Sequence, residues 1–306
     1  ANALLELSDV VSVRATLGTG FHAPSPGQNN TQIVTTNFRS GNQVQTGTYP
    51  VTSSIAQFYG AESLRPEKSK NYGAGFILKP TDNFTLTVDG YIIDVRNRIG
   101  ISQTFTVTDA DLAALPALAI VGVGGDVNYF TNGFDTSTKG IDAVASYRTD
   151  LAGGPLSLTM AYSYNKSKVT DFNPSVISAA QRFNIANLPP KHRLNTSANW
   201  QIGDFQLNGR VNYFSSWANQ LEYPGQRFGA KATVDLDASY TFMEYFTLTV
   251  GANNLFDTYP DRIAASTTNP IYALTDSLAD GQIYPRSGGP FGINGGFYYA
   301  RLRIKY

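Results

Sequence analysis

The residues that could do chemistry in this 306-residue chain are few. There is no cysteine, which excludes a disulfide framework, a thiolate metal site and a cysteine nucleophile. The two histidines, His22 and His192, lie far apart in the sequence, and neither belongs to a Ser-His-Asp or His-Glu-x-x-His pattern. We therefore expect no catalytic residues, no metal site and no cofactor, and we do not interpret the chain as an enzyme.

The charged residues are the next candidates. Lys and Arg total 23, Asp and Glu total 23, and the formal net charge is zero, which argues against a nucleic-acid partner because such a protein needs a basic face. Several charges lie in segments where polar and apolar residues alternate, which would place them on one polar face of a sheet. They are Asp142, Arg193, Arg210, Asp235, Asp237, Arg301 and Arg303. Paired carboxylates could perform acid–base chemistry, but we favour the lining of a water-filled lumen.

The apolar residues around these charges alternate with a period of two. Between 205 and 217, five of the seven odd positions are apolar or aromatic, against one of the six even positions. The same alternation recurs at 156–165, 232–242 and 298–306. This period indicates strands with one apolar face. The strands would have about 10–13 residues each, whereas those of soluble proteins usually have about 5–6.

No apolar run could form a membrane-spanning helix. The longest, 112–124, has 13 residues and is interrupted by Pro116, whereas a helical span needs roughly 20. A protein that crosses a membrane with strands must close them into a barrel, because every backbone polar group must be paired in lipid. Strand length, central charges and aromatic strand ends favour an all-β, antiparallel transmembrane barrel over the alternative of a soluble sandwich.

Ten strands are predicted, separated by connections that alternate between long and short. The strands are 9–20, 67–79, 84–97, 138–150, 155–167, 191–202, 205–217, 231–242, 246–256 and 296–306. The long connections, which would be extracellular loops, are 21–66, 98–137, 168–190, 218–230 and 257–295. We also expect a helix at 109–120 with Asp109 as its N-cap. Near Asp89, where the apolar parity changes, we expect either a β-bulge or a change of facing.

The last twelve residues, 295–306, alternate apolar with basic side chains and end on an aromatic residue. An edge strand is the simpler interpretation. We favour an outer-membrane assembly signal that the insertion machinery recognises by strand addition. Its apolar residues are Tyr298, Leu302, Ile304 and Tyr306.

Four segments, in order along the chain, resemble motifs of the TonB-dependent outer-membrane receptors. Residues 14–25 read RATLGTGFHAPS and are similar to the motif R-x5-G-F-[RH]-A-P. Residues 64–75 resemble L-x-P-E-x-S-x-N-Y-E-x-G, with Gly73 where Glu is usual, and 253–260 resemble N-L-F-D-x-x-Y. Ser287 and residues 290–302 resemble S-P-F-G-x-N-G-R-F-Y-Y, with two extra glycines and with Gly296 in place of Arg.

This resemblance implies a 22-stranded outer-membrane barrel of Gram-negative bacteria that an N-terminal plug domain fills. We expect the chain to be a fragment that supplies about ten C-terminal strands and lacks the plug, the TonB box and about twelve strands of the barrel. Ten strands of such a barrel leave two open edges.

The resemblance also implies a function. The intact receptor would import a scarce nutrient by TonB-dependent transport, and a ferric siderophore is the substrate that we expect. Oligosaccharide, cobalamin and haem are alternatives, as are a passive porin-like channel and a soluble carbohydrate-binding sandwich. The expected partners are outer-membrane lipid, TonB through the plug region, the barrel-assembly machinery and the small-molecule ligand.

The long loops carry the side chains that we expect to contact such a ligand. Loops of this length are usually functional, and aromatic side chains suit an amphiphilic ligand. The candidates are Phe21, His22, Tyr49, Tyr129, Phe130 and Tyr223. A structural role is assigned to His192, which precedes a predicted strand.

Overall fold

The computed structural model describes residues 1–39, 42–264, 283–285 and 289–305, and these ranges contain fourteen strands and four α-helices. The strands are β1 (Asn2–Glu6), β2 (Val11–His22), β3 (Ile33–Arg39), β4 (Asn42–Tyr49), β5 (Glu67–Thr81), β6 (Phe84–Ile101), β7 (Phe105–Thr106), β8 (Asp126–Leu151), β9 (Gly154–Phe172), β10 (His192–Ile202), β11 (Phe205–Phe214), β12 (Lys231–Phe242), β13 (Phe246–Asn253) and β14 (Phe297–Ile304). The helices are α1 (Pro26–Asn30), α2 (Ser54–Phe58), α3 (Asp109–Ala114) and α4 (Ala179–Asn187), with a 3₁₀ helix at Pro116–Ile120. No helix in the described ranges has the length and apolar character to cross a membrane.

Eleven strands form one antiparallel sheet in the order β1-β2-β5-β6-β8-β9-β10-β11-β12-β13-β14. Each strand pairs with the next one along this path, which confirms the all-β, antiparallel prediction. All ten predicted strands are present, and β1 is an eleventh that the sequence pattern did not reveal. Within the described residues the sheet is not closed, since the path begins at β1 and ends at β14.

The register separates the sheet into two faces. On the outer face, apolar residues pair with one another across strands, as Val211 does with Val234 and Trp200 with Leu207. On the opposite, polar face, Arg210 pairs with Asp235. Many apolar side chains of the outer face are exposed, among them Leu236. An apolar face that no protein covers is what a barrel wall presents to lipid.

Three strands run further than predicted. β6 has 18 residues, β8 has 26 and β9 has 19, so both ends of the predicted loop 98–137 and the start of the predicted loop 168–190 are strand. The added part of β8, 126–137, is rich in Asn, Thr, Ser and Gly. Hydrophobic alternation marks only strands that have one apolar side, and it is absent here.

The largest buried core lies among the long connections and not within the main sheet. The hairpin β3–β4 adds to the main sheet at the start of β8, where β4 runs parallel to Asp126–Tyr129, and β7 pairs with the same segment. Together with α2, α3 and the 3₁₀ helix these strands form what we call the loop layer. Its buried core is Tyr49, Ile55, Ala56, Val107, Leu118, Val121, Val127, Tyr129, Val176 and Ile177.

The helix expected at 109–120 differs from the prediction in two respects. Thr108, not Asp109, is the N-cap, and its hydroxyl accepts a hydrogen bond from the Asp111 backbone N–H at 3.2 Å. The α-helix ends at Ala114 because Pro116 has no N–H and disfavours helical geometry in the residue before it. A 3₁₀ helix follows from Pro116.

Of the two alternatives predicted near Asp89, the structure has no bulge there, and the apolar residues change face instead. The pairing of β5 with β6 is unbroken from Lys68 and Arg96 to Leu78 and Leu86, so Asp89 lies in a regular ladder. Tyr91, Ile93 and Val95 lie on the polar face, where they line a cavity.

Candidate functional site

A cavity of about 560 Å³ opens on the polar face, between the middle of the sheet and the long-connection ends of β5, β6, β8 and β9. Its lining combines ionisable, amide, aromatic and aliphatic side chains. They are Glu67, Tyr91, Ile93, Val95, Arg98, Thr138, Asp142 and Asn165. A cavity with a partly apolar wall and a few converging polar groups is the usual form of a small-molecule site.

A glycine on the neighbouring strand sets the position of Tyr91. A Cβ atom at Gly140 would overlap the Tyr91 ring and hydroxyl, so only glycine lets this ring lie flat across β8. The Tyr91 hydroxyl accepts a hydrogen bond from the Asn165 side-chain amide at 3.0 Å. Three strands thereby fix one aromatic ring and its phenol in the cavity wall.

The upper rim of the cavity holds Glu67, the first residue of β5. Its Oε1 accepts a hydrogen bond from the Ile99 N–H at 2.7 Å, and its Oε2 lies 3.8 Å from Nδ1 of His22. Arg98 donates to the Thr136 hydroxyl at 3.1 Å. These contacts hold a carboxylate and a guanidinium at the rim, with the imidazole of His22 next to them.

Asp142 lines the lower side of the cavity and has a second carboxylate, that of Asp89, as its neighbour outside the lining. Asp89 and Asp142 pair directly across β6 and β8. Arg14 donates from Nε to Oδ1 of Asp89 at 2.6 Å and from Nη2 to its other oxygen, so Asp89 is neutralised. Within the described residues, Asp142 has no ion-pair partner, and it faces the cavity.

The seven charged residues predicted to line a lumen all lie on the polar face. Asp142 is in the cavity, and the register places Ser163 and Arg193 in the same row. The other five lie along β11 to β14, where Arg210 pairs with Asp235, Asp237 with Gly251, Arg301 with Thr249 and Arg303 with Thr247. That this face lines a lumen stays a prediction.

Three of the six candidate ligand-contact residues are buried in the long connections. Tyr49 is 2% exposed, Tyr129 0% and Tyr223 1%, so these rings are packed inside the connections, and their contact with a ligand stays a prediction. Tyr129 stacks on Phe105 with ring centroids 5.8 Å apart, and its hydroxyl donates to the Tyr59 carbonyl at 2.7 Å. Burial raises the pKa of Tyr129 to about 12. The physical reason is that the connections fold on one another and use these rings as core.

The same cluster contains two residues that sequence reasoning missed. Tyr59 stacks on Phe105 with ring centroids 5.0 Å apart, and its hydroxyl donates to the Asp111 carboxylate at 3.3 Å. Burial, with the Asp111 charge as a further cause, raises the pKa of Tyr59 to about 12. Hydrogen bonds from the Thr108 N–H and hydroxyl lower the pKa of Asp111. Short stretches of loop gave no periodic signal for this packing.

Tyr223 belongs to a second, smaller core around the predicted loop 218–230. Its ring meets Phe228 edge-on at 5.4 Å, and Phe228 stacks on Trp217 at 4.2 Å. The buried Asn184 side chain of α4 donates to Asn219 at 2.7 Å and ties this loop to the helix. Residues 265–282 and 286–288 of the predicted loop 257–295 lie outside the described residues.

The remaining three candidates lie in different surroundings. Phe21 is 79% exposed and shares the outer face with Tyr72, so it points away from the cavity. His22, the next residue, lies on the polar face next to Glu67. Phe130 is half-buried, pairs with Ile101 and lies on the opposite side of β8 from Tyr129. None of the six lines the cavity, and His22 lies next to a lining residue, Glu67.

Sequence reasoning also missed most of the cavity itself. Tyr91, Arg98 and Asn165 were not among the candidates, and Glu67 entered only as part of a motif. One signal could have revealed Tyr91, namely the switch of apolar parity in β6. Among the described residues, no group of three or more His, Asp or Glu side chains could hold a metal ion.

Comparison with known proteins decides the class of this sheet. The family described as "TonB dependent receptor-like, beta-barrel" matches residues 1–255. The chain belongs to that family. Its members are outer-membrane barrels of Gram-negative bacteria, and this receptor chain is therefore an outer-membrane protein.

Solved structures agree with the fold of the receptor chain. The ferric enterobactin receptor PfeA of Pseudomonas aeruginosa (G324V mutant) matches with a TM-score of 0.62 at 16% identity, over 100% of this chain and 39% of that one. The siderophore receptor PirA of Acinetobacter baumannii matches with a TM-score of 0.58 at 15% identity, over 100% of this chain and 40% of PirA. The Pseudomonas aeruginosa ferripyoverdine receptor, bound to ferripyoverdine, matches with a TM-score of 0.55 at 15% identity, over 99% of this chain and 32% of that receptor. The chain spans about two-fifths or less of the length of these proteins.

The predicted assembly signal of the receptor chain lies in β14, the strand at one end of the sheet. Tyr298, Leu302 and Ile304 pair with Ala252, Leu248 and Phe246, and all three are exposed on the outer face. Tyr306 lies outside the described residues. β14 thus offers an apolar row on one side and, within the described residues, a strand edge that no other strand occupies.

Proposed function

We propose that this receptor takes part in TonB-dependent uptake of a ferric siderophore across the outer membrane. The observation that carries the proposal is the family match over 1–255. The proteins with similar folds include receptors for ferric enterobactin and ferripyoverdine, which supports an iron chelate as the substrate class. Both family and neighbours are receptors or transporters, in keeping with a protein that binds and moves its ligand unchanged.

The cavity on the polar face supports a more specific proposal about the ligand. It carries the carboxylates of Glu67 and Asp142 against one guanidinium, that of Arg98. Burying an anion next to these two carboxylates is unfavourable, because like charges repel more strongly when water is excluded. We therefore infer that the cavity accepts a neutral or cationic chelate, such as a ferric trihydroxamate, in preference to a triply anionic ferric triscatecholate.

Binding to the native receptor in detergent tests this preference. We expect tighter binding of a neutral ferric trihydroxamate than of the triscatecholate. Asp142→Asn removes one carboxylate and should reduce the difference in affinity between the two chelates. Asp237→Asn is the matched control, since it removes a carboxylate from the same face outside the cavity lining. Equal affinities for the two chelates in the native receptor, or the same narrowing in both variants, would contradict the charge argument.

Growth assays test the transport function. Cells that lack their own ferric-siderophore receptors and express the native gene product should grow on a ferric trihydroxamate as sole iron source. Growth should stop when TonB is removed. Uptake that persists without TonB would favour a passive channel, and failure on iron chelates with growth on haem, cobalamin or oligosaccharide would move the substrate to that class.

The partners follow from the same proposal. TonB would act through a plug domain that fills the polar side of the wall, outer-membrane lipid would cover the outer face, and the assembly machinery would engage β14. The predicted extracellular loops 21–66, 98–137, 168–190, 218–230 and 257–295 would then face the medium.

A further inference from the structure

The lower side of the cavity on the polar face carries one carboxylate that is not neutralised within the described residues. Asp142 lines the cavity there and has no ion-pair partner, whereas its neighbour Asp89 is bound by Arg14. Arg193 lies in the same row of the register, but one strand separates it from Asp142, so their Cα atoms are about 10 Å apart. The lower side of the cavity is therefore suited to a positive charge.

The rim of the same cavity is balanced in charge. Glu67 and Arg98 both line it there, so a carboxylate and a guanidinium offset each other. The excess of negative charge in the lining is thus localised at Asp142, at the other end of the cavity.

An aromatic ring covers the wall immediately next to this carboxylate. Tyr91 lies across Gly140, and Asp142 follows Gly140 by two residues on the same face of β8. The Cα atoms of Gly140 and Asp142 are therefore about 7 Å apart. One side of the ring rests on the glycine, which leaves the other side towards the cavity. A group on that open side would be within reach of the carboxylate.

The ring and the acceptors around it are fixed before a ligand arrives. The Asn165 side-chain amide donates to the Tyr91 hydroxyl at 3.0 Å and so anchors the ring. Ser163 is paired directly with Asp142 and adds a hydroxyl oxygen beside the carboxylate. Groups that are already held in place lose little conformational freedom on binding.

A carboxylate, a hydroxyl oxygen and the face of an aromatic ring together suit an organic ammonium group. An ammonium has three N–H donors and no acceptor, and the carboxylate accepts from it in a charge-assisted hydrogen bond. The electron-rich face of a ring attracts a cation that lies within about 6 Å of its centroid. A bare metal ion is a poorer fit, because among the described residues no group of three or more His, Asp or Glu side chains could hold one.

We propose that the receptor selects ferric chelates that carry a free primary amine, and that Asp142 and Tyr91 bind this amine in its ammonium form. The inference rests on the proposed function and narrows the chelates named there to those with a positively charged group. Because the ammonium subsite lies at the lower side of the cavity, the amine should be at the end of a flexible arm, with the iron centre towards the rim.

The test compares two ferric chelates that differ in one group. The first is a linear ferric trihydroxamate with a free amine at one end. The second is the same chelate with that amine acetylated, which removes the charge and leaves the iron centre unchanged. We expect the native receptor in detergent to bind the amine form about tenfold or more tightly than the acetylated form, the effect of one hydrogen bond between charged groups. Calorimetric titration with each chelate measures the ratio of the two affinities.

Variants assign this preference to the two side chains. Asp142→Asn should bind both chelates alike, because the amide keeps the shape of the side chain and removes its charge. Tyr91→Leu should reduce the preference severalfold, whereas Tyr91→Phe should keep most of it, since the face of the ring remains. Asp237→Asn is the matched control, because Asp237 lies on the same polar face outside the cavity lining, and it should keep the native ratio. Unchanged heat-modifiability on gels shows that the variants are folded.

The outcomes separate this inference from the proposed function. Equal affinities of the two chelates for the native receptor would overturn the inference and leave the proposed function standing. Binding of neither chelate would overturn both. A basic side chain of the plug domain is the other group that could neutralise Asp142. In that case Asp142→Asn would lower the thermal stability of the receptor and keep the native preference for the amine, which would also overturn the assignment.

Discussion

Arg14 holds both carboxylate oxygens of Asp89 across the backbone of Gly75, and so connects β2 to β6 over the strand between them. A Cβ atom at Gly75 would overlap Asp89 Oδ1 and the Val88 carbonyl. The glycine is therefore a condition for this contact. Because Asp89 pairs directly with Asp142, the arginine also lowers the repulsion between two neighbouring carboxylates.

The first prediction concerns this contact. Gly75→Ala should destabilise the native receptor by about 1–3 kcal/mol, because the methyl group forces Asp89 or the strand to move. Thermal unfolding in detergent, followed by loss of heat-modifiability, measures the change. Gly18→Ala is the control, since the nearest atom to a Cβ there is 3.9 Å away. Equal stability of the two variants would show that the contact across Gly75 contributes little.

The second prediction concerns the cavity wall. Gly140→Ala should displace the Tyr91 ring and weaken ligand binding by about tenfold, the effect of losing roughly 1–2 kcal/mol of positioned contact. Ligand titration of the native receptor and the variant measures it. Gly90→Ala is the control. Gly90 precedes Tyr91 on β6, and the nearest atom to a Cβ there is 3.8 Å away. If both alanine variants bind as the native receptor does, Tyr91 is not part of the binding surface.

The third prediction concerns alkaline pH. Tyr129 has a pKa of about 12 in the folded loop layer, against 10.0 for an unperturbed tyrosine. Between these values the folded state keeps a proton that the unfolded state loses, so stability falls as pH rises from about 10 to about 12. The loss is on the order of 2–3 kcal/mol. Absorbance at tyrosinate wavelengths and near-ultraviolet circular dichroism follow the titration.

Tyr129→Phe provides the matched variant. This variant lacks the hydrogen bond to the Tyr59 carbonyl, which should lower its stability by about 1 kcal/mol. Because the variant has no phenol at this position, its stability should fall less between about pH 10 and about pH 12. Titration of this residue near pH 10 in the folded receptor would contradict the structure.

The fourth prediction concerns acid pH. Asp111 accepts hydrogen bonds from the N–H and hydroxyl of Thr108, and these lower its pKa. A carboxylate with a lowered pKa contributes stability above its unfolded value of 3.8, and the contribution is lost as pH falls through the folded value. Proteolysis of the segment around α3 should therefore accelerate below pH 4. Asp111→Asn should remove most of this pH dependence, whereas an unchanged profile would contradict it.

The wall could be predicted from sequence because its strands meet two different solvents. Val211 and Val234 face lipid while Arg210 and Asp235 face the other way, and the period of two follows directly. Where the strands extend beyond the apolar band, apolar and polar residues no longer alternate with a period of two. β8 therefore starts at Asp126, twelve residues before the predicted strand.

The candidate binding surface was harder to predict for a related reason. Tyr49, Tyr129 and Tyr223 have the composition of ligand contacts, but packing among distant connections buries them, and only the fold shows this. Tyr91 of β6 and Asn165 of β9 are hydrogen-bonded across β8, which lies between their strands. The sequence pattern does not show which residues the strand register brings together. His22, the last residue of β2, lies next to Glu67 of the cavity lining, and its contact with a ligand stays a prediction.

The shared core of the loop layer sets the unit in which such receptors can exchange their outer surfaces. Tyr49 of β4, Val107 after β7 and Tyr129 of β8 bury one another, and β4 is held by the start of β8. A graft of 21–66 alone would leave half a core exposed. A chimaera that takes its outer surface from a relative must therefore exchange 21–66 and 98–137 together, as one unit.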